Sequence, residues 1–112
     1  MSSRPKLWVV LCTVPNDIVA EQIGRGLVEH GLAACVNAVP GLRSFYRWQG
    51  KIQDDSEVQL LIKTCPERFD ELAAWLDAHH PYEVPEIVAL PAEQVNDGYL
   101  SWAIEQTSGI EG

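Results

Sequence analysis

Four side chains of this sequence belong to the types that bind copper or zinc: the Cys12 thiol, the His79 and His80 imidazoles and the Glu86 carboxylate. Thiolate sulfur and imidazole nitrogen are preferred ligands of both metals, and a carboxylate oxygen can complete the coordination. The thiol is distant in sequence from the other three groups, and none of the four belongs to an HExxH or CxxC signature. They can form a metal site only if the fold brings the two parts of the chain together.

Each of these residues also has a purely structural interpretation. A single cysteine in an apolar strand commonly acts as a small buried hydrophobic residue, which would account for Cys12. Histidines near the end of a helix interact favourably with its last carbonyl groups, which would account for His79 or His80. Glu86 could cover the start of a strand or pair with a charge on a neighbouring subunit. The sequence alone leaves both interpretations open.

Catalytic constellations are not visible in the sequence. Ser44 and Ser101 have no predicted base beside them, and Cys35 falls on a predicted edge strand without a histidine partner. No glycine-rich phosphate-binding loop follows a predicted strand. We therefore expect a protein that is not an enzyme and requires no cofactor, with copper or another divalent cation as a candidate ligand.

The charge balance disfavours anionic polymers as partners. The 112 residues include 8 Lys and Arg against 16 Asp and Glu, a formal net charge of -8. Nucleic acids and anionic membranes bind chiefly to positive surfaces, so neither is an expected partner. No apolar run approaches the ~18–20 residues of a membrane helix. The 3 cysteines, an odd number without a CxxC pair, favour a reducing cytoplasm.

The N-terminal segment allows one alternative. Arg4 and Lys6 precede an apolar stretch, as they would in a minimal signal peptide. No small-x-small cleavage site follows that stretch, and Pro15 with the polar residues after it suits a turn from strand to helix. We therefore expect a cytoplasmic protein whose single domain spans residues 1–112.

Hydrophobic periodicity predicts strands and helices in succession. A continuous apolar run of strand length comes first, and Asn16 then offers an N-cap for an amphipathic helix. Two long alternating segments joined at Gln49-Gly50 predict a hairpin whose arms exceed the usual ~5–6 residues, so part of it must overhang a small domain. Pro66 suits the first position of a second helix. The predicted ranges are Leu7–Val14, Asn16–Gly31, Ala34–Trp48 with a bend at Pro40-Gly41, Lys51–Thr64, Pro66–His80, Ile87–Leu90 and Asn96–Thr107.

This β-α-β-β-α-β order, followed by a tail helix, is that of an α+β, ferredoxin-like (split βαβ) fold. The fold implies an antiparallel sheet of order 4-1-3-2, in which the fourth strand pairs with the first. The end of the first strand, the end of the second helix and the start of the fourth strand then lie at the same end of the molecule. The topology thus predicts that Cys12, the two histidines and Glu86 come together.

Several stretches of the sequence match a known family in order and spacing: LCTVPN (11–16), LAACVN (32–37), VPG (39–41), SFYRWQGKI (44–52), IKT (62–64), HHPYEVPEI (79–87) and YLSW (99–102). Over nearly its whole length the chain resembles the CutA divalent-cation-tolerance proteins. The resemblance implies a ferredoxin-like subunit, a homotrimer similar to the PII signalling proteins and a role in the response to divalent metal ions. It also implies copper binding through Cys12, His79 and Glu86, with His80 as the alternative imidazole.

The aromatic side chains of the hairpin, Phe45, Tyr46 and Trp48, together with Tyr82, are expected to be covered by other subunits. A hairpin longer than its domain cannot bury all of them within one chain. Exposed apolar surface and an open strand edge are best covered by another chain. Given the family resemblance, we expect a symmetric trimer to cover them.

The resemblance to PII trimers leaves a second function open: a signalling protein that binds a small anion or a nucleotide in clefts between subunits. The N-terminus of the first helix, around Asn16, is where backbone N–H groups would favour an anion. Against this function, no phosphate motif is present in the sequence. The basic residues are also scattered, at Arg25, Arg43, Arg47, Lys51 and Lys63.

Overall fold

Strand β1 (Leu7–Val14) lies inside the sheet, antiparallel to β3 (Lys51–Thr64) on one side and to β4 (Val88–Ala92) on the other. Strand β2 (Cys35–Trp48) pairs with β3, so the strand order is β2-β3-β1-β4, as the topology predicts. The structure is a computed structural model that describes residues 5–108. Arg4 and both ends of the predicted 1–112 domain lie outside the described residues.

Three α-helices accompany the sheet: α1 (Asp17–Glu29), α2 (Phe69–His79) and α3 (Asp97–Gln106). The Asn16 side chain caps α1 by accepting a hydrogen bond of 2.9 Å from the Val19 N–H, as the sequence predicts. The second helix differs from its prediction, because Pro66–Arg68 forms a 3-10 turn and α2 begins three residues later. No helix within residues 5–108 has the length and hydropathy to cross a membrane.

The core lies between the sheet and the helices α1 and α2. Alternate residues of β1 and β3 point into it, which is the period of a strand with one face covered. Burial of each large aliphatic side chain contributes roughly 1.5–3 kcal/mol to folding. The buried members are Val10, Cys12 and Val14 from β1, Val58, Leu60 and Ile62 from β3, Ala20, Ile23 and Leu27 from α1, Leu72 and Leu76 from α2, and Leu32 and Ala33.

The β2–β3 hairpin extends well past this core, as its predicted length requires. Each arm has 14 residues, and pairing continues from Cys35↔Lys63 to Trp48↔Lys51. Gln49 and Gly50 both have positive φ, the backbone of a tight hairpin turn. One extra β2 residue is inserted between the Val39↔Gln59 and Leu42↔Glu57 pairs, a bulge at the predicted Pro40-Gly41 bend.

Strand β4 differs from its prediction in both bounds. It begins at Val88 rather than Ile87 and continues past Leu90 to Ala92. It pairs with β1 only from Leu7 to Leu11. The last three residues of β1 therefore have β3 on one side and no strand on the other.

Helices α1 and α2 meet where Gly26 faces Trp75. A Cβ atom at Gly26 would lie 2.5 Å from the Trp75 ring, much closer than carbon atoms pack. The ring has little freedom to move, because His79 stacks on it at 4.0 Å between centroids and His30 lies at 5.8 Å. The absence of a side chain at Gly26 thus allows the two helices to pack.

We expect Gly26→Ala to lower the free energy of unfolding by about 1–3 kcal/mol, the usual effect of overpacking a rigid contact. Gly24→Ala is the matched control in the same helix, since its Cβ would make an ordinary 3.6 Å contact with Val36. The control should stabilise the protein by about 0.5–1 kcal/mol through higher helix propensity. Urea denaturation of both variants measures the difference, and equal stabilities would contradict this role of Gly26.

Candidate ligand-binding site

The carbonyl of Thr13, on the side of β1 that has no strand partner, is satisfied by a histidine ring. The His80 Nε2–H donates a hydrogen bond of 2.8 Å to this oxygen. The proton must be on Nε2, because His80 Nδ1 accepts a hydrogen bond of 3.1 Å from the Tyr82 N–H. The His80 side chain is buried, with 8% of its surface exposed. It fixes the loop after α2 to the end of β1.

These hydrogen bonds affect whether His80 can act as the alternative imidazole ligand of the predicted metal site. A metal binds the lone pair of an unprotonated ring nitrogen. In His80 the Nδ1 lone pair accepts the Tyr82 hydrogen bond and Nε2 carries a proton. His80 therefore serves the backbone of the loop, and a metal could bind it only after one of these bonds breaks.

His79 lies on the exposed side of the last turn of α2. Its Nδ1–H donates a hydrogen bond of 2.8 Å to the Trp75 carbonyl, and its ring stacks on the Trp75 indole with 18° between the planes. This is the helix-end role that the structural interpretation gave to one of the two histidines. The other ring nitrogen, Nε2, has no hydrogen-bond partner within residues 5–108.

Cys12 is fully buried in the core between the sheet and the helices. Burial, reinforced by the negative charges of Glu86 and Glu57, raises the pKa of the Cys12 thiol to about 12. The thiol is therefore protonated at neutral pH and packs as a small apolar group.

The structure gives the predicted ligands separate surroundings. Cys12 is buried in the core, Glu86 lines a cavity, and the His79 ring is held against Trp75. In the described part of the chain, no group of three or more His, Cys, Asp and Glu side chains is arranged to hold a metal ion. The Cys12, His79 and Glu86 site stays a prediction.

A cavity of about 590 Å³ opens beside Glu86, between the hairpin and the loop that His80 fixes. Its lining includes the aromatic residues predicted to take part in subunit packing, Phe45, Tyr46, Trp48 and Tyr82. Because Phe45 alternates with Tyr46 along β2, its ring lies on the other face of the hairpin, with the Arg43 guanidinium 5.0 Å from its centroid. The carboxylates of the cavity are Glu57, Glu83 and Glu86. Among residues 5–108, no Lys, Arg or His side chain lines this cavity.

Hydrogen bonds link the aromatic and acidic groups of the cavity. The Tyr82 hydroxyl donates to Glu57 at 2.6 Å, and the Tyr46 hydroxyl donates to Asp55 at 2.5 Å. Burial and the hydrogen bond to Glu57 raise the pKa of Tyr82, and the hydrogen bond to Asp55 raises the pKa of Tyr46. Both hydroxyls therefore remain donors at neutral pH.

Sequence reasoning did not identify Glu57 as a site residue. The strand alternation contained the signal, because Glu57 follows Gln53 and Asp55 at a spacing of two on one face of β3. What the alternation could not give is the position of the loop after α2. The contact between Tyr82 and Glu57 depends on that loop.

The negative charge of the cavity is not neutralised within the described chain. The ion pairs among residues 5–108 are Arg25–Glu21, Arg43–Asp54 and Arg68–Glu71, and none involves a cavity carboxylate. Glu57 is the most buried of the three, at 8% exposed. Carboxylates grouped in a partly enclosed space attract cations and repel anions.

Comparison with known proteins places the chain in a family. The sequence model of the CutA1 divalent ion tolerance protein family matches residues 8–106. The chain belongs to this family. This confirms the resemblance found in the sequence, and the four-stranded antiparallel sheet with three helices matches solved CutA1 structures.

Two relatives show how far the CutA likeness extends. The chain is 54% identical over 99 residues to the divalent-cation tolerance protein CutA of Thermus thermophilus, covering 88% of this chain and 96% of that protein. It is 47% identical over 98 residues to protein CutA of Homo sapiens, covering 88% of this chain but 55% of that protein. A solved structure of the Thermus thermophilus protein superposes with a TM-score of 0.88 at 53% identity, covering 90% of this chain and 98% of the other.

The Cys12 thiol should make stability fall at alkaline pH. Its pKa is 9.0 in the unfolded chain and about 12 in the folded protein, so its stabilising contribution is complete below pH 9 and is lost as the pH rises through about 12. Between pH 8 and pH 10 we expect wild type to lose about 1 kcal/mol more stability than Cys12→Ala.

Urea denaturation at both pH values measures this difference. Val10→Ala is the control, because it truncates another buried side chain of β1 that does not titrate. It should lose as much stability as wild type between the two pH values. The same loss in Cys12→Ala as in wild type would show that the thiol does not stay protonated in the folded protein.

Proposed function

We propose that this chain acts in the response to divalent metal ions, as its family name describes, and that its ligand is a cation. The observation that carries the proposal is the cavity that, within residues 5–108, is lined by three carboxylates and by no basic residue. Family membership supports the connection to divalent cations. We further propose that the protein is cytoplasmic, forms a single domain and has no enzymatic activity.

The same observation favours a cation over the anionic ligand of a PII-like signalling protein. At the N-terminus of α1, the Asn16 side chain already accepts the Val19 N–H bond. The groove along α1 is lined by Asp17, Glu21 and Glu29 as well as by Arg25, which pairs with Glu21. An anion would therefore meet a capped helix end and net negative charge.

Copper is the proposed metal, bound weakly through Cys12, His79 and Glu86. Sulfur, imidazole and carboxylate ligands fit copper chemistry. The His79 Nε2 has no hydrogen-bond partner among residues 5–108, and Glu86 lines the cavity. The Cys12 thiol, whose pKa is about 12, must lose its proton to bind, which lowers the affinity at neutral pH.

We expect Cys12→Ala/His79→Ala to bind copper(II) at least about tenfold more weakly than wild type by calorimetry. We also expect wild-type affinity to increase about tenfold per pH unit near neutrality, since one thiol proton is released per ion. His30→Ala is the control, because the His30 Nδ1 bonds the Gly26 carbonyl as His79 bonds Trp75. Equal affinities of wild type and the double variant would rule out the site.

We also propose that the subunit is ferredoxin-like and assembles as a PII-like homotrimer. Strands β2 and β4 are the edges of the sheet, and β2 leaves an open edge of 14 residues. Large apolar side chains are exposed on the hairpin and near the loop after α2, including Phe45, Ile52 and Val84. Unpaired strand edges and grouped apolar surface favour association with another copy of the chain.

Sedimentation at micromolar concentration should give three times the 12.5 kDa mass of one chain. Ile52→Glu should lower this mass, because a charge would be placed in the proposed interface. Ile18→Glu on α1 is the control, since Ile18 is as exposed as Ile52 (71% against 64%) but lies away from the hairpin. A stable wild-type monomer would contradict the proposed assembly.

A further inference from the structure

We propose that Trp75 is a positioning residue for His79 and holds this imidazole in the tautomer and the ring orientation that offer Nε2 to a divalent metal ion. The inference rests on the proposed function in one respect only, the choice of His79 as a metal ligand. It adds the side chain that prepares this ligand. The test begins with the metal-free protein, so that it can succeed or fail independently of copper binding.

The tautomer of His79 is set by the backbone of α2. The His79 Nδ1–H donates a hydrogen bond of 2.8 Å to the Trp75 carbonyl, which places the ring proton on Nδ1 and leaves the lone pair on Nε2. A metal ion binds this lone pair, and a hydrogen bond from the other ring nitrogen to a carbonyl is a usual support of a metal-binding histidine. The neutral His79 ring can therefore bind a metal ion without moving its proton.

The orientation of the His79 ring is set by the side chain of Trp75. The two rings stack with 4.0 Å between their centroids and 18° between their planes. His79 lies on the exposed side of the last turn of α2, where a side chain without a packing partner would occupy several rotamers. Stacking on the indole therefore favours the rotamer in which Nδ1 reaches the carbonyl.

Trp75 can orient the imidazole because its own indole is held in place. The Trp75 side chain packs against the core between the sheet and the helices. It also lies against the backbone of α1, since a Cβ atom at Gly26 would be 2.5 Å from the ring. Removing a group that orients a metal ligand typically weakens metal binding ~10–100-fold. The indole thus fits the role of such a group.

The other two of the 3 histidines are internal references for this role. The His30 Nδ1 also bonds a carbonyl, that of Gly26, at 2.8 Å, but its ring lies 5.8 Å from the Trp75 ring at an angle of 47° and is not stacked. His80 has the opposite tautomer, because its Nδ1 accepts the Tyr82 N–H and its proton is on Nε2. One chain therefore contains a stacked, an unstacked and an oppositely protonated imidazole.

Long-range ¹H–¹⁵N NMR spectra of the metal-free protein in EDTA report the tautomer of each histidine ring. The spectra are recorded at about pH 8.5, where histidine side chains are ordinarily neutral. The His79 signals are assigned by their absence in His79→Ala. In wild type we expect the Nδ1–H tautomer for His79 and the Nε2–H tautomer for His80.

Substitutions of Trp75 test whether its ring maintains the His79 tautomer. Trp75→Leu keeps an apolar side chain but removes the stacked ring, so His79 should lose at least about half of its Nδ1–H population while His80 keeps its tautomer. Trp75→Met makes the same test with a longer apolar side chain if Trp75→Leu does not fold. Trp75→Phe retains an aromatic face and should preserve the wild-type pattern.

Calorimetry with copper(II) tests the consequence for metal binding. We expect Trp75→Leu to bind about tenfold more weakly than wild type, and Trp75→Phe to bind within about threefold of wild type. Trp8→Leu is the matched control, because it makes the same change at another half-buried tryptophan, whose ring packs against Phe69 and not against an imidazole. The control should bind copper(II) like wild type.

Each result counts for or against the inference. An Nε2–H tautomer of His79 in wild type, an unchanged Nδ1–H population in Trp75→Leu, or equal losses of affinity in Trp75→Leu and Trp8→Leu would overturn it. A tautomer that depends on Trp75 in a protein that binds no copper would uphold it while the proposed function fails. Copper binding through His79 with a tautomer that does not depend on Trp75 would overturn it while the proposed function stands.

Discussion

The hydrogen bond between the His80 ring and the Thr13 carbonyl fixes the part of the structure on which the cavity depends. Strand β4 stops short of the end of β1, and the ring takes the place of a strand at that carbonyl. The Nδ1 atom of the same His80 ring accepts a hydrogen bond from the backbone N–H of Tyr82. Tyr82 in turn reaches Glu57 on β3, so one imidazole connects the sheet, the loop and the carboxylate.

The long hairpin supplies the other wall and gives the molecule its elongated shape, 48 Å in the longest direction. Its inner half is part of the core, where β3 buries every second side chain, whereas its outer half is solvated in the single chain. The cavity lies where these halves meet. Paired strands form one side of this acidic, aromatic cavity, and the loop fixed by His80 forms the other.

Hydrophobic periodicity in the sequence predicts much of the fold but less of the candidate site. The bounds of β1 and β3 were predicted correctly because alternation or continuous burial is strong there. Pro66 was placed in α2 because proline suits both a first α-helical turn and a 3-10 turn. The roles of His79 and His80 could not be predicted, since they depend on ring orientation and on the carbonyl that each ring meets. Glu57 was missed because its partner comes from a loop without periodicity.

The β-bulge of β2 determines which side of the sheet the outer aromatic residues occupy. Before the bulge, even-numbered residues of β2 pair with even-numbered residues of β3, as in Val36↔Ile62. After the bulge, even-numbered residues of β2 pair with odd-numbered residues of β3, as in Tyr46↔Gln53. A chain shortened by one residue at this point would pair as a regular ladder and would leave Tyr46 opposite Gln53, on the same side of the sheet as Glu57. The extra residue at Pro40-Gly41 thus shifts the alternation of β2 by one, so that its even-numbered residues lie on the core side before the bulge, as Val36 does, and on the cavity side after it, as Tyr46 does.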